Sequence, residues 1–383
     1  MKRKRILFIA AHRPDRSPSQ RFRFEQYLDH LKQNGFDYDY SWLISEKDDK
    51  RFYSPGNLRT KVLILIKSWW KRKKDAWRAS DYDVVFVQRE AFMTGSTRFE
   101  KKFAKSGAKL VFDFDDAIWN LDTSDANKKF EWLKNPGKTA EIISMSHLVI
   151  AGNQYLANYA KRHNKNVVII PTTIDLKEYD RSGYLSYRAE SRGDVENAPS
   201  LSDFDSAQSD KVKITIGWSG SLTTIKHFEF AVPFLREIKK KYGDKVSIKV
   251  IGDPNYSNEE LGVKALAWKK EDEVKELSTF DIGIMPLPDD EWAKGKCGLK
   301  GLQYMALGIP TIMSPVGVNT EIIRDGENGM LATTTEEWVS KLDQLIASAS
   351  LRKQIGSAAI QTVRDKYSVD AWKNSYVQLL NNL

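Results

Sequence analysis

The 383 residues, 41% hydrophobic and 29% charged, suffice for two domains of about 150 to 200 residues each and exclude disorder throughout. A single cysteine, Cys297, excludes an internal disulfide and a zinc-thiolate cluster and suits a reducing cytoplasm. The net charge of +9 is uneven: residues 1–100 hold 22 Lys and Arg against 13 Asp and Glu, while the remainder holds 38 of each. This excess marks either an anionic partner met by that end or a soluble basic face.

In chain order, the start Met1-Lys-Arg-Lys-Arg is followed by too short an apolar run for a signal peptide, and no window approaches the roughly 20 apolar residues of a spanning helix. Ile6 to Ala10 reads as the first strand, and the helix after it is expected to begin near Ser19 and end at Gly35. His12, Arg21 and Arg23 stand at this strand-to-helix passage as candidate cleft or acceptor residues, with an exposed helix surface as the alternative. The five histidines show no metal spacing, so no metal is expected.

Residues 61–74, Lys-Val-Leu-Ile-Leu-Ile-Lys-Ser-Trp-Trp-Lys-Arg-Lys-Lys, join an apolar run to paired tryptophans and a basic cluster. Lys67, Trp69, Trp70, Lys71, Arg72, Lys73 and Lys74 are therefore candidates for contact with an anionic membrane surface, the alternative being a core helix with a solvated basic end.

Further strands are expected at Val84 to Val87, Leu110 to Phe114, Leu148 to Ala151 and Val167 to Ile170. A second series runs through Ile214 to Gly217, Val246 to Ile251, Asp281 to Met285, Thr311 to Ser314 and Met330 to Ala332. Alternation with helix-period segments predicts an α/β chain of two Rossmann-like, doubly wound domains in tandem, facing each other across a cleft. The expected division is 1–173 for the first domain and 174–212 for a linker, with a poorly ordered serine-rich insertion at 182–210. Residues 213–367 form the second domain, and a helix within 368–383 returns to the first.

Ligands of such sheets bind beyond the carboxyl ends of the strands. After the strand ending at Met285 comes Trp292-Ala-Lys-Gly-Lys-Cys-Gly-Leu-Lys-Gly-Leu-Gln-Tyr-Met-Ala-Leu-Gly-Ile-Pro310. Here Gly295 and Gly298 permit close backbone approach, while Lys296 and Lys300 bring charge to a helix start that already favours anions. The turn holding Gly217, Ser219, Gly220 and Ser221, and the turn holding Gly317, Val318 and Asn319, offer further amide and hydroxyl donors. Together they fit a diphosphate, against tight turns chosen only for packing.

The 292–310 segment resembles the Trp-x-x-Gly-Lys-Cys-Gly-x-Lys-x-Leu-Gln-Tyr-Met-Ala-x-Gly-x-Pro loop of one bacterial branch of the retaining GT-B glycosyltransferases, family 4. Val149-Ile-Ala-Gly-Asn-Gln-Tyr-Leu156, Ile170-Pro-Thr-Thr-Ile-Asp175 and Gly326-Glu-Asn-Gly329 are similar as well. The resemblance implies a nucleotide-sugar donor in the second domain, a glycan or lipid-linked acceptor in the first, and transfer without a metal or other cofactor. It further implies a role in cell-surface polysaccharide biosynthesis, in the cytoplasm or on the inner face of the plasma membrane. It places Lys300 and Gly298 on the diphosphate and Gln303 where the family has a ribose-binding glutamate. The family's other glutamate falls on Gly295, so Asp290 or Glu291 is the substitute carboxylate. Trp218 stands where an arginine is usual. Lys300, Asp115 and Asp116 are the expected catalytic residues.

Asp113-x-Asp115 at the end of a strand also resembles the haloacid dehalogenase nucleophile motif, which implies a magnesium-dependent phosphatase. A non-catalytic sugar-binding relative is a further alternative. No recognised module accompanies the basic surface, so no specific nucleic acid is expected.

Overall fold

The computed structural model describes residues 3–54, 56–120, 135–181 and 213–383, so the expected loop 182–210 lies outside them. The chain forms two compact units, Met1–Thr172 with Lys294–Cys297 and Trp372–Leu383, and Thr173–Ala293 with Gly298–Ala371.

The first unit holds β1 (Lys4–His12), β2 (Phe36–Ile44), β3 (Val84–Gln88), β4 (Lys109–Phe114), β5 (Leu148–Ala151) and β6 (Val167–Ile169). All pair in parallel in the order β2-β1-β3-β4-β5-β6. β3 is buried at every position, as a strand covered by helices on both faces must be. β2 is a strand the expected series lacks: Phe36-Asp-Tyr-Asp-Tyr alternates apolar and acidic residues at the sheet edge, where one side meets water. Within this unit Tyr376, on the helix Val369–Asn381, stacks on Tyr27 at 4.5 Å, and Lys4 Nζ donates to the Asn381 carbonyl.

The second unit holds β7 (Ile214–Ser219), β8 (Val246–Gly252), the hairpin β9 (Ser257–Asn258) and β10 (Val263–Lys264), β11 (Leu266–Ala267), β12 (Ile282–Met285), β13 (Thr311–Met313) and β14 (Met330–Leu331). Its parallel sheet runs β11-β8-β7-β12-β13-β14. Ile216, Trp218, Ile248, Ile284 and Ile312 fill the core, and Phe234 stacks on Trp338 at 4.4 Å. In each sheet the order reverses beside the first strand, at β1/β3 and at β7/β12. Such switch points open a crevice at the carboxyl edge.

The helix after β1 starts at Pro18, whose fixed φ suits a first turn, and gives way to short turns rather than running unbroken to Gly35. That break turns Arg23 inward. It is 1% exposed, its Nη2 lies 2.5 Å from Asp113 Oδ1, and its Nη1 donates to the Ile170 carbonyl. Arg21 is also buried, its guanidinium 4.7 Å from the Phe22 ring. Arg23 is therefore a structural cation rather than a cleft residue. Asp113, 0% exposed with both oxygens held by Arg23, cannot be a phosphatase nucleophile open to substrate.

Residues 61–74 lie within one helix, Leu58–Arg78. Arg72 is not on the surface: it is fully buried, donating to Asp75, Ser41 and the Ala10 and Ala91 carbonyls. Trp69 packs against the first core, and Lys71 turns sideways over the Trp42 ring. Lys67, Trp70, Lys73 and Lys74 point away from the core or along its margin.

Replacing Asp113 by Ala would leave Arg23 an uncompensated buried cation. The expected cost is roughly 3–5 kcal/mol, read as a lower urea midpoint with an unchanged slope.

Candidate functional site

At the switch point of the first unit, His12 ends β1 and Arg89 follows β3. Arg89 has φ 61°, a left-handed conformation unfavourable for a long side chain and characteristic of strained functional positions. Its Nε donates to Asp115 Oδ1 at 2.8 Å and its Nη2 to Asp116 Oδ2, while Lys296 Nζ donates to Asp116 Oδ1 at 3.0 Å. Burial alone would raise the Asp116 carboxyl, but Lys296 and Arg89 outweigh it and hold the group below the usual carboxylate range. The two expected catalytic aspartates are thus bridged by Arg89, a residue that sequence reasoning missed. Only its position, directly after a strand at the reversal, offered a signal.

Lys296 belongs to the first unit and its ammonium is engaged by Asp116. Asn153 explains how the segment is held. Its Oδ1 caps the helix Gln154–Lys161 through Leu156 N–H, and its Nδ2 donates to the carbonyls of Gly295 and Lys296. At Gly295 a Cβ would stand 2.6 Å from Ala117 Cβ and 2.9 Å from Ala117 N, so the glutamate of the resembled pattern has no room. Cys297 donates to the Asp115 carbonyl, and burial pushes its thiol well above the ordinary range, leaving it inert.

His12 is half-buried, with Tyr53 Oη 3.3 Å from its Nε2. Burial, with Arg16 and then Arg89 and Arg13, pushes the ring down to about 4 against the opposing pull of Asp49.

In the second unit the strand-end loops come together. Lys300 Nζ lies 5.4 Å from the Trp218 ring centre, a cation-π contact that joins β7 to the helix Leu299–Ala306. Gly298 caps that helix at φ 69°, a left-handed turn that favours glycine. A Cβ there would meet Ile322 at 2.3 Å and Val318 at 3.4 Å, which brings the turn Gly317–Asn319 beside the helix start. Asn319 is 1% exposed; its Nδ2 donates to the Ser314 carbonyl, and its Oδ1 is buried without a partner.

Ser219 Oγ and N–H both meet Tyr304 Oη, while Ser221 Oγ turns back to Thr223 and Thr224. Gly220 N–H donates to the Ile251 carbonyl. Gly217 lies within β7 rather than in a turn, packed against Phe280. Asp290 is exposed and accepts from Ala293 N–H, and Glu291 begins the same short helix.

A cavity of about 260 Å³ opens beyond β7, β8 and β11, lined by Ser219, Ile251, Leu266, Ala267, Trp268, Lys269, Asp272, Glu273, Glu276 and Leu277. Gln303 is buried behind it, its Nε2 donating to Tyr179 Oη at 2.6 Å and Glu273 Oε1 at 3.1 Å. The carboxylates in this cavity wall come from Asp272, Glu273 and Glu276 on the helix Lys270–Ser278, and Glu273 Oε1 also accepts from Trp268 Nε1 at 2.8 Å. The Leu266–Lys269 loop and Glu273 carried no signal in the sequence, because two-residue strands lack a readable period. Among the described residues no group of three or more His, Cys, Asp or Glu stands ready to hold a metal ion.

Two outcomes test this geometry. Replacing Gly295 by Glu is expected to lower the melting temperature and any activity, because Ala117 occupies the space; a more active and equally stable variant would contradict the packing. The His12 ring should remain neutral down to about pH 5 in NMR titration. Since its folded value of about 4 lies below the ordinary 6.5, its contribution to stability is complete above pH 6.5 and is lost as pH falls toward 4.

Residues 213–348 match the family model described as Glycosyl transferases group 1. No curated protein matches the chain in sequence. Among solved structures, Anabaena HepE in complex with UDP and glucose is 14% identical with a TM-score of 0.64, covering 100% of both chains. A glycosyltransferase from Rickettsia africae is 16% identical with a TM-score of 0.65, covering 99% of this chain and 98% of that one. Sucrose-phosphate synthase from Thermosynechococcus elongatus is 15% identical with a TM-score of 0.65, covering 99% of each. The chain therefore has the GT-B fold, two six-stranded parallel α/β units, and carries a group 1 glycosyl transferase domain at residues 213–348.

Proposed function

We propose that the protein is a retaining glycosyltransferase of family 4. It takes a sugar from a nucleotide-sugar donor held by the second unit and passes it to a glycan or lipid-linked acceptor held by the first, in cell-surface polysaccharide biosynthesis. The observation that carries this reading is the carboxyl edge of the second sheet. There the cavity, the left-handed Gly298 cap and Lys300 stand on adjoining loops within the domain that matches the family. HepE, a structural neighbour, was solved with UDP-glucose.

The base and ribose enter the cavity beside Trp268 and Glu273. The diphosphate meets the amides of 299–301, which have no intrahelical acceptor, and the Lys300 ammonium. As the bond from the anomeric carbon to the leaving phosphate oxygen breaks, its electrons pass to that oxygen and Lys300 stabilises the charge. The acceptor oxygen attacks the same face, and its proton passes to the departing phosphate oxygen. Positive charge at the leaving group is thus supplied by the chain, and the proposed reaction uses no metal. Asp115 and Asp116, ordered by Arg89, contact the acceptor or the sugar. The buried single thiol suits a cytoplasmic setting.

A non-catalytic nucleotide-sugar-binding relative is the second reading, favoured by the steric exclusion of any side chain at 295. Thermal shift against nucleoside diphosphates and nucleotide sugars, with and without magnesium, should reveal one selective, magnesium-independent stabiliser. Anomeric NMR of the product should then show retention. Stabilisation without hydrolysis or transfer would establish the non-catalytic reading. Lys300→Ala is expected to lower turnover by about two to three powers of ten while the protein stays folded; undiminished transfer would remove Lys300 from the mechanism.

A further inference from the structure

The helix Leu58–Arg78 carries apolar residues on its outward side as well as on its inward one. Its inward side buries Lys61, Ile64, Ser68, Arg72 and Asp75, and Leu65, Trp69 and Ala76 pack against the core at its margin. Its outward side exposes Leu63 at 65%, Ile66 at 50%, Trp70 at 49% and Trp77 at 64%. Spacings of three, four and seven residues keep these four in one stripe, opposite the buried face. The buried guanidinium on this side is compensated, because Arg72 is paired with Asp75 and bonded to the Ala10, Ser41 and Ala91 carbonyls. The outward stripe has no covering element among the described residues.

Charge selects what covers it. From residue 56 to residue 74 there is no Asp or Glu, and Arg59, Lys73 and Lys74 have no acidic partner among the described residues; Lys67 is held by Asp48. Lys73 Nζ lies 4.5 Å from the Trp70 ring and 4.8 Å from the Trp77 ring, so its charge rides on the apolar stripe itself. Two copies meeting on this face would bring these cations together. Among the described residues no helix is long and apolar enough to cross a membrane.

We propose that this outward face docks flat on an anionic lipid bilayer. Leu63, Ile66, Trp70 and Trp77 enter the headgroup boundary, and Arg59, Lys73 and Lys74 meet lipid phosphates. Tryptophan suits this level because its ring is apolar and its N–H is polar, and lysine stems lie along apolar surface while their heads stay wet. The stripe departs from the original basic cluster: Arg72 plays no part, and Leu63, Ile66 and Trp77 join. The proposal stands whether or not the protein transfers a sugar.

The test uses the full chain with vesicles of phosphatidylcholine alone or with about one third phosphatidylglycerol, in cosedimentation at low and high salt. The expected result is binding to the anionic vesicles, a blue shift of tryptophan emission, and release by salt. Lys73→Gln with Lys74→Gln should weaken binding roughly thirtyfold, at about fivefold per cation. Ile66→Ser with Trp70→Ser should abolish the emission shift while leaving circular dichroism and melting temperature unchanged, since both side chains are exposed. Equal binding to neutral vesicles, or undiminished binding by the Ile66/Trp70 variant, would overturn the proposal. A wild-type dimer in light scattering that the same variant converts to monomer would also overturn it, assigning the stripe to a second copy.

Discussion

A carboxylate removed from water must find a cation, and the first unit is organised around that requirement. Asp113, next to last in the central strand β4, has no exposure, and the guanidinium of Arg23 meets both its oxygens while reaching the Ile170 carbonyl just past β6. The turn after β1 is thereby tied across the sheet to β4 and to the segment after β6. A pair of this kind adds little net stability compared with apolar packing, but neither member tolerates loss of the other. The chain's path between β1 and β2, including the short turns that replace a continuous helix, follows from bringing Arg23 to Asp113.

The same rule repeats nearer the surface with a different result. Arg89 bridges Asp115 and Asp116, and Lys296 completes the set, but these groups stand at the switch point of the sheet instead of beneath it. The left-handed backbone at Arg89 is the local strain that this arrangement carries. Below lies a structural pair and above it a network with accessible edges, made from the same residue types, with aspartates two and three positions apart in sequence.

In the second unit, aromatic packing does the positioning that ion pairs do in the first. Trp218, within β7, lies under Lys300, and Tyr304 reaches Ser219 from the same helix. An aromatic face thus stands where an arginine is usual in the resembled family. It orients a lysine instead of supplying a second charge. Gln303 likewise donates to Glu273 on another helix, a polar contact within this aromatic setting.

Much of this was legible from the residues alone. Most strands of both sheets announce themselves as short apolar runs because parallel strands buried on both faces leave no polar alternation, and the order of elements implies the doubly wound architecture. Gly298 and Lys300 were readable because a left-handed cap and a cation at a helix start are local requirements. The rest depended on partners distant in sequence. Nothing near Arg72 says that Ser41, Ala10 and Ala91 will enclose it, so a basic cluster read as surface contains a buried cation. Nothing near Gly295 announces Ala117. The sequence by itself determined the strands, their alternation with helices and the loops that carry glycine and lysine, because those depend on periodicity and backbone freedom over a few residues. Tertiary structure alone decided which charges are buried, which carboxylates are shared and which face of a helix looks outward, because burial and Coulomb pairing depend on neighbours brought from tens to hundreds of positions away.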